Sequence, residues 1–245
     1  MSGLSTAELE RYDRQMRIKE WGVAGQLKLK KARVMVAGGG GLGCPASIYL
    51  AAAGVGNITI VDKEKVELSN LNRQVLHWTN DVGLLKGDSI TKKLCQLNPE
   101  IKVKAVSKEI TKTNACALVR GFDVVVDCMD NWATRFILNE ACVAEDVPLV
   151  HAGIYGLYGQ VTTIMPRKGP CLRCILPKPP PEEKKFPVLG ATPGTLGLLE
   201  AFETIKLLTG IGQPLVGRLV YFDGENMTFQ EIKVERKPNC PVCGQ

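Results

Sequence analysis

Four cysteines form two pairs of identical spacing, Cys171/Cys174 and Cys240/Cys243. Each C-x-x-C offers two thiolates on a tight knuckle, and four thiolates make a closed tetrahedral zinc site. The stretch between Cys174 and Cys240 is far longer than the spacing of a local zinc finger. Such a site would staple two distant parts of the chain, a structural task. A redox dithiol is the competing chemistry for a C-x-x-C. A second constellation is glycine-rich: Val34–Ala37 is followed by Gly38-Gly39-Gly40-Gly41-Leu42-Gly43 and then by a run of helix formers. A G-x-G-x-x-G between a strand and a helix lets the backbone approach a phosphate and points free N–H groups at it. Gly38, Gly40 and Gly43 carry the pattern, and Asp62 falls about 20 residues on, where an acid binds ribose hydroxyls. The signal implies a nucleotide and does not separate NAD from ATP.

Further along, Asn70-Leu71-Asn72-Arg73-Gln74 follows the second strand, and Lys86 lies near the start of the next helix. Arg73 and Lys86 could reach back over the phosphates. Asp127-Cys128-Met129-Asp130-Asn131 ends an apolar strand at its C-terminal end, where α/β sheets place ligands. A carboxylate there can hold Mg2+ or cap a helix starting at Asn131, and spacing does not choose between the two. No G-x-x-x-x-G-K-[ST] loop exists, which excludes a P-loop NTPase. Two histidines and no G-x-S-x-G elbow leave little material for triad chemistry.

The elements that must position these residues can be read from periodicity. Ser5-Thr6-Ala7-Glu8 fits a capping box, and a polar helix is expected to run to about Glu20, with Arg11, Arg14 and Arg17 on one face. A helix over 23–30 precedes an alternation: strand 32–37, helix 43–53, strand 58–61, helix 83–97, strand 101–106, helix 114–120, strand 123–126, helix 131–146, strand 148–150. Strands apolar throughout, separated by helices, mean a parallel sheet covered on both faces. Beyond residue 150 the pattern changes to an antiparallel strand over 158–165, a Pro- and charge-rich loop over 178–187 that reads as mobile, and a helix opened by Thr192-Pro193 and closed by Gly210. Leu198, Ala201, Ile205 and Leu208 form that helix's expected apolar stripe, and a hairpin across Asp223–Asn226 closes the chain. The expectation is therefore an α/β fold: a Rossmann-like, mostly parallel sheet with an antiparallel C-terminal extension and a four-cysteine zinc knuckle. It forms one unit over 1–245, made of N-terminal helices (1–31), a nucleotide-binding part (32–150) and an antiparallel part with crossover loop and zinc site (151–245).

Composition agrees. With 245 residues, 45% of them hydrophobic and 23% charged, the chain is neither disordered nor fibrous. Its net charge of +6 comes from interleaved signs without a dense basic run, which argues against a nucleic-acid binder. Nine cysteines, an odd number, and an N-terminus with no apolar signal core point to a reducing cytoplasm. Val34–Val61 carries no charge and is long enough to cross a bilayer, but its glycines and Pro45 make a continuous helix poor, so no membrane span is expected.

Together, Arg11-Tyr12-Asp13-Arg14-Gln15, the glycine-rich turn, Asp62, Asn70-Leu71-Asn72-Arg73-Gln74, Lys86, Asp127–Asn131 and the two Cys pairs resemble the MoeB/ThiF/HesA family, relatives of ubiquitin-activating enzymes, over roughly residues 10–244. The resemblance implies ATP-dependent adenylation of the C-terminal Gly-Gly carboxylate of a small ubiquitin-like sulfur-carrier protein, with release of pyrophosphate. It implies that Asp62 holds the ribose, that Gly41, Asn70, Arg73 and Lys86 line the phosphates, and that Asp130 serves Mg2+. Gln74 and Asn131 are counted with the nucleotide site, and Arg14 is expected to reach into the neighbour's site of a homodimer. The implied cofactors are ATP, Mg2+ and Zn2+. Molybdopterin, thiamine and protein-tagging pathways all use such enzymes, and the sequence does not choose among their carriers.

Many relatives carry a cysteine in the crossover loop, here about 178–192, and this chain has none between Cys174 and Cys240. The expectation is an enzyme that stops at the acyl-adenylate, with sulfur delivered by a separate persulfide donor, since no rhodanese-like segment follows Gln245. Cys128 and Cys142 read as packing residues. The competing readings are an NAD-dependent oxidoreductase, a non-catalytic carrier-binding zinc module, and an activating enzyme for modified transfer RNA. The first gives no use for Arg14, Arg73, Lys86 and Asp130 together.

Overall fold

The computed structural model describes residues 3–181 and 186–244. The N-terminal segment holds α1 (Thr6–Arg11), α2 (Asp13–Met16) and α3 (Gly22–Lys31). The capping box forms as expected, with Ser5 Oγ accepting from Glu8 N and Glu8 Oε2 accepting from Ser5 N. The single helix to Glu20 does not. It breaks at Tyr12, whose ring turns inward, is 3% exposed and accepts a 2.8 Å bond from Asn98 Nδ2 at its hydroxyl. The ring fills the space over Gly54, where a Cβ would stand 2.6 Å from it. Burial of one aromatic overrides helix continuity, so Arg11, Arg14 and Arg17 do not share one helix.

The alternation follows: β1 (Arg33–Ala37), α4 (Gly43–Ala53), β2 (Asn57–Val61), α5 (Lys86–Leu97), β3 (Lys102–Val106), α6 (Ala115–Val119), β4 (Val124–Asp127), α7 (Trp132–Ala144) and β5 (Leu149–Tyr155). The apolar stretch of 34–61 is thus strand, turn, helix and strand. Among the described residues no helix is long and apolar enough to cross a membrane. β6 (Tyr158–Ile164), α8 (Leu172–Ile175), α9 (Ala191–Thr209), β7 (Arg218–Asp223) and β8 (Thr228–Lys233) complete the chain. Eight strands form one sheet in the order β3-β2-β1-β4-β5-β6-β7-β8. β1 to β5 are parallel, and β6, β7 and β8 extend the sheet antiparallel.

Alternation along β1 builds both halves of the core. Val34 and Val36 face a layer with Leu50 of α4, Ile90 of α5 and Leu196 of α9. Met35 and Ala37 face the opposite layer with Val119, Phe136 and Leu138 of α6 and α7. Two predicted helix starts move. Gly83 sits at φ +91° and Leu85 pairs with Lys65, so α5 begins at Lys86. α9 begins at Ala191, and the Thr192 hydroxyl donates to Gly156 O instead of capping the helix. The buried face of α9 keeps Ala201, with Ile205 and Leu208 packed on the core as expected, but it also carries Leu196, Gly197, Glu200, Glu203 and Thr204, while Leu198 stays half-exposed. Gly210 closes the helix in the left-handed conformation as expected. The middle of the polar loop, residues 182–185, lies outside the described residues.

Candidate functional site: a nucleotide cleft and a four-cysteine centre

Strand order reverses at β1: the chain runs to β2 and β3 on one side and to β4 and β5 on the other. A crevice at the carboxyl ends of the strands is the ligand position that this topology creates. A cleft of about 760 Å3 lies there. It is lined by Gly38, Gly40, Gly41, Asp62, Asn70, Arg73, Gln74, Lys86, Asp130 and Asn131, so ten of the predicted residues from five separate stretches converge.

The glycine turn is forced by crowding. Gly38 adopts φ +100°, with the Cys128 carbonyl 2.5 Å from where a Cβ would be. Gly43 has Gly38 O at 1.9 Å from that point and does not line the cleft; its part is close packing of α4 on β1. Among the described residues no protein acceptor takes the N–H groups of Gly40, Gly41 or Leu42. Free N–H groups leading into a helix form an anion site. Asp62 directly follows β2 and accepts from Gly39 N and Glu64 N, each at 2.7 Å. Burial raises its carboxyl above the usual range, against those two N–H groups and Lys86.

Lys86 is 4% exposed and its Nζ donates to Glu64 Oε2 at 2.6 Å. Arg73 Nη1 donates to Ser69 O and Asn72 Oδ1, each at 2.9 Å. Asn70 Oδ1 accepts from Glu67 N at 3.0 Å, which ties down the turn before Arg73. Gln74 is buried and its Oε1 has no partner, an acceptor left over beside the glycine turn. Asn131 caps α7 through Thr134 N at 2.8 Å, so capping falls to Asn131 and Asp130 remains exposed at the rim. Its only side-chain partner among the described residues is Asn131 Nδ2 at 3.3 Å. One exposed carboxylate facing a phosphate-sized crevice suits Mg2+, which is commonly held by one or two carboxylates plus substrate oxygens. Arg14 is exposed on α2 and does not line this cleft.

The structure adds residues that the sequence reading passed over. Arg135 lines the cleft, 5% exposed, and its guanidinium donates to Met129 O from Nε (3.0 Å) and Nη2 (2.5 Å), bracing the loop that carries Asp130. An arginine in the opening turn opposes the helix dipole, and that was the available signal. Asp127 is fully buried and bonds His151 Nδ1 at 2.7 Å. Burial lowers the His151 pKa, and its Nε2 has no partner. A neutral ring fits that geometry, because an imidazolium would bury an N–H without an acceptor. Cys128 lines the cleft with its thiol donating to Glu200 Oε2 at 3.4 Å. Burial, with Glu200 and Asp127 nearby, pushes the thiol well above its usual range, and burial does the same to Glu200.

Apart from the cleft lining, the two Cys pairs meet. The sulfurs of Cys171, Cys174, Cys240 and Cys243 all lie within 4.8 Å of one another and all four residues are buried. Cys171 and Cys240 are 3.6 Å apart and Cys174 and Cys243 3.4 Å, close to the edge of about 3.8 Å for a tetrahedron with zinc–sulfur bonds near 2.3 Å. Lys237 N donates to Cys174 Sγ at 3.4 Å. Burial works against ionising Cys240, yet the N–H groups of Cys243 and Val242 bring its thiol down to about 7. Burial and the neighbouring thiols raise Cys171 and Cys243 instead, so four thiolates at this point would need a metal ion to hold them together.

Known proteins share this frame. Residues 12–242 match the model of the ThiF family. "Adenylyltransferase and sulfurtransferase MOCS3" of Anopheles gambiae is 48% identical over 248 residues, covering 99% of this chain and 56% of the relative. This chain thus spans about half the length of that protein. "SAMP-activating enzyme E1" of Haloferax volcanii is 45% identical over 99% of this chain and 91% of its own length. A crystal structure of E. coli MccB with ATP has a TM-score of 0.85 at 25% identity, covering 98% of this chain and 75% of that one. With a strand-switch crevice, a free glycine turn and a family match over nearly its whole length, this chain belongs to the ThiF family.

Proposed function

We propose that this chain is an adenylyltransferase that activates the C-terminal Gly-Gly carboxylate of a small ubiquitin-like sulfur-carrier protein with ATP. The observation that carries the reading is the convergence of a free glycine turn, Asp62, Arg73, Lys86 and Asp130 in one crevice. An oxidoreductase would have no need of two cations and a free carboxylate there. The names of the MOCS3 and SAMP-activating relatives point the same way.

In the proposed reaction a carrier carboxylate oxygen attacks the α-phosphorus of ATP. The bond to the oxygen bridging the α- and β-phosphates breaks, pyrophosphate leaves, and no proton changes hands. The enzyme's work is positioning and charge. Asp62 accepts from the ribose hydroxyls, while Gly40 and Gly41 donate N–H bonds to phosphate oxygens. Arg73 and Lys86 offset the crowded negative charge, and Lys86 exchanges Glu64 for the nucleotide. Asp130 would hold Mg2+, which screens the leaving pyrophosphate. The four cysteines would hold zinc as a structural clamp. Sulfur then comes from a separate persulfide donor: residues 178–192 contain no cysteine, and the one thiol lining the cleft, Cys128, is kept protonated.

The test is ATP–pyrophosphate exchange against a panel of carriers ending in Gly-Gly. Exchange dependent on one of them supports the reading and names the carrier. Absence of exchange with every carrier, while the chain binds nicotinamide nucleotide, would overturn it.

A further inference from the structure

We propose that His77 is a positioning residue for the nucleotide site, its imidazole holding the Gly39 carbonyl and so orienting the glycine turn that receives the phosphates. The inference rests on the reading of the cleft as an ATP site. His77 is 3% exposed and does not line the cleft, so it touches no substrate. Its Nε2 lies 2.9 Å from Gly39 O and its Nδ1 3.0 Å from Ser89 Oγ. Lys93 Nζ lies 2.9 Å from Ser89 Oγ and also pairs with Asp81.

The two ends of this chain fix its direction. An ammonium only donates and a carbonyl only accepts. Lys93 therefore donates to Ser89, Ser89 donates to His77 Nδ1, and His77 Nε2–H donates to Gly39 O. Two other acceptors stand near the Ser89 hydroxyl, Leu76 O at 3.4 Å and the Asp81 carboxylate that Lys93 already engages; with the ring proton on Nε2 for Gly39 O, a neutral His77 presents Nδ1 as the acceptor for Ser89. Each donor polarises the next, which strengthens the last bond of the series. Burial lowers the His77 pKa, opposed by the Gly39 bond, with Lys86 and Lys93 adding to the lowering and Asp62 countering it. The neutral, Nε2-protonated ring is the form that this environment favours.

The consequence lies across one peptide plane. In a trans peptide the C=O of Gly39 and the N–H of Gly40 point in opposite directions. Fixing the carbonyl on His77 turns the Gly40 N–H away from His77, and that N–H has no protein acceptor among the described residues. The preceding N–H, of Gly39, is held by Asp62. Gly39 has no room for a side chain of its own, with Ile90 Cδ1 2.8 Å from where a Cβ would stand. A glycine-rich turn is flexible unless held, and His77 and Asp62 hold this one from two sides.

Calorimetric titration of ATP with Mg2+ into the full chain, without any carrier, tests the proposal beside thermal melts. His77→Leu keeps the bulk and loses the donor; it should melt cooperatively and bind ATP about tenfold more weakly, the worth of one net hydrogen bond. His77→Gln, which can place an N–H near Nε2, should recover affinity to within about twofold of wild type. Ser89→Ala, which removes only the link behind the ring, should weaken binding about threefold. A folded His77→Leu with wild-type affinity overturns the proposal, as does a folded His77→Gln as weak as the leucine variant. Should His77→Leu not fold, wild-type affinity in Ser89→Ala overturns it. A wild-type chain that binds no ATP removes the cleft reading and this inference together, whereas ATP binding abolished by Asp62→Ala but untouched at His77 removes the inference alone.

Discussion

Lys86 shows how a single side chain comes to its place. Periodicity alone would start its helix three residues earlier and put Lys86 in the helix body. The left-handed turn at Gly83 and the pairing of Leu85 with Lys65 delay the start, so the lysine opens α5 beside Glu64. Glu64 is 54% exposed at its side chain, so their pair contributes little to stability, on the order of 1 kcal/mol or less. Lys86→Ala should therefore melt within a few degrees of wild type yet lose about a hundredfold or more in carrier-dependent exchange. Arg73→Ala should behave alike, and wild-type exchange in either would remove that residue from the reaction. The placement of Gly38, Gly40, Gly41, Asp62 and Lys86 at the cleft was legible because local spacing sets it. Arg135, His77, His151 and Glu200 were not. The last three work through partners distant in sequence, Gly39 for His77, Asp127 for His151 and Cys128 for Glu200, of which spacing carries no trace, whereas Arg135 braces the nearby Met129 carbonyl and left only its place in the first turn of α7 as a signal.

Among the elements, β1, β2 and α4 were legible almost to the residue, because apolar runs ending in glycine have few other solutions. The face of α9 was read in part: Ala201 is buried and Ile205 and Leu208 pack on the core, but the polar members of that face were not foreseen. The predicted stripe counted only apolar side chains, whereas the buried face also includes Glu200, Glu203 and Thr204. Glu203 is satisfied by the Thr163 hydroxyl at 2.5 Å and Leu215 N at 2.7 Å, from β6 and the loop before β7, contacts that no helical pattern announces. The four-cysteine centre joins α8 to the chain beyond β8, closing a long loop that contains the crossover, α9 and the antiparallel hairpin. A metal that closes such a loop restricts the unfolded chain and stabilises the folded one. Purified protein should carry one zinc per chain by elemental analysis. Cys174→Ser should abolish that zinc and lower the melting temperature by about 5 °C or more. Retention of both zinc and melting temperature in that variant would remove Cys174 from the centre.

The molecule as a whole leaves two features that one copy does not use. Arg14 is exposed on α2, away from the cleft of its own chain. Leu68 (71% exposed), Val75, Trp78, Val82 and Leu84 form an exposed apolar run in the segment between β2 and α5, beside Arg73. The expected homodimer, in which Arg14 would complete the neighbour's site, would use both. Mixing inactive Arg14→Ala with inactive Arg73→Ala should then restore exchange, up to about a quarter of the wild-type rate, since a mixed dimer holds one intact site. No recovery after subunit exchange has been verified would place Arg14 outside the reaction. Sequence made the dimer an expectation only through resemblance, because a quaternary contact leaves no periodicity in one chain.

The Cys128 thiol in the cleft wall has a consequence for the fate of the proposed product. An acyl-adenylate is a strong acylating agent, and a thiolate within reach would consume it in the enzyme that made it. Bonded to a carboxyl that burial keeps neutral, Cys128 stays a thiol and a poor nucleophile. Glu200 and Cys128 thus insulate the cleft floor against self-acylation. In the proposed reaction the activated carrier would then wait for a sulfur nucleophile from outside the cleft.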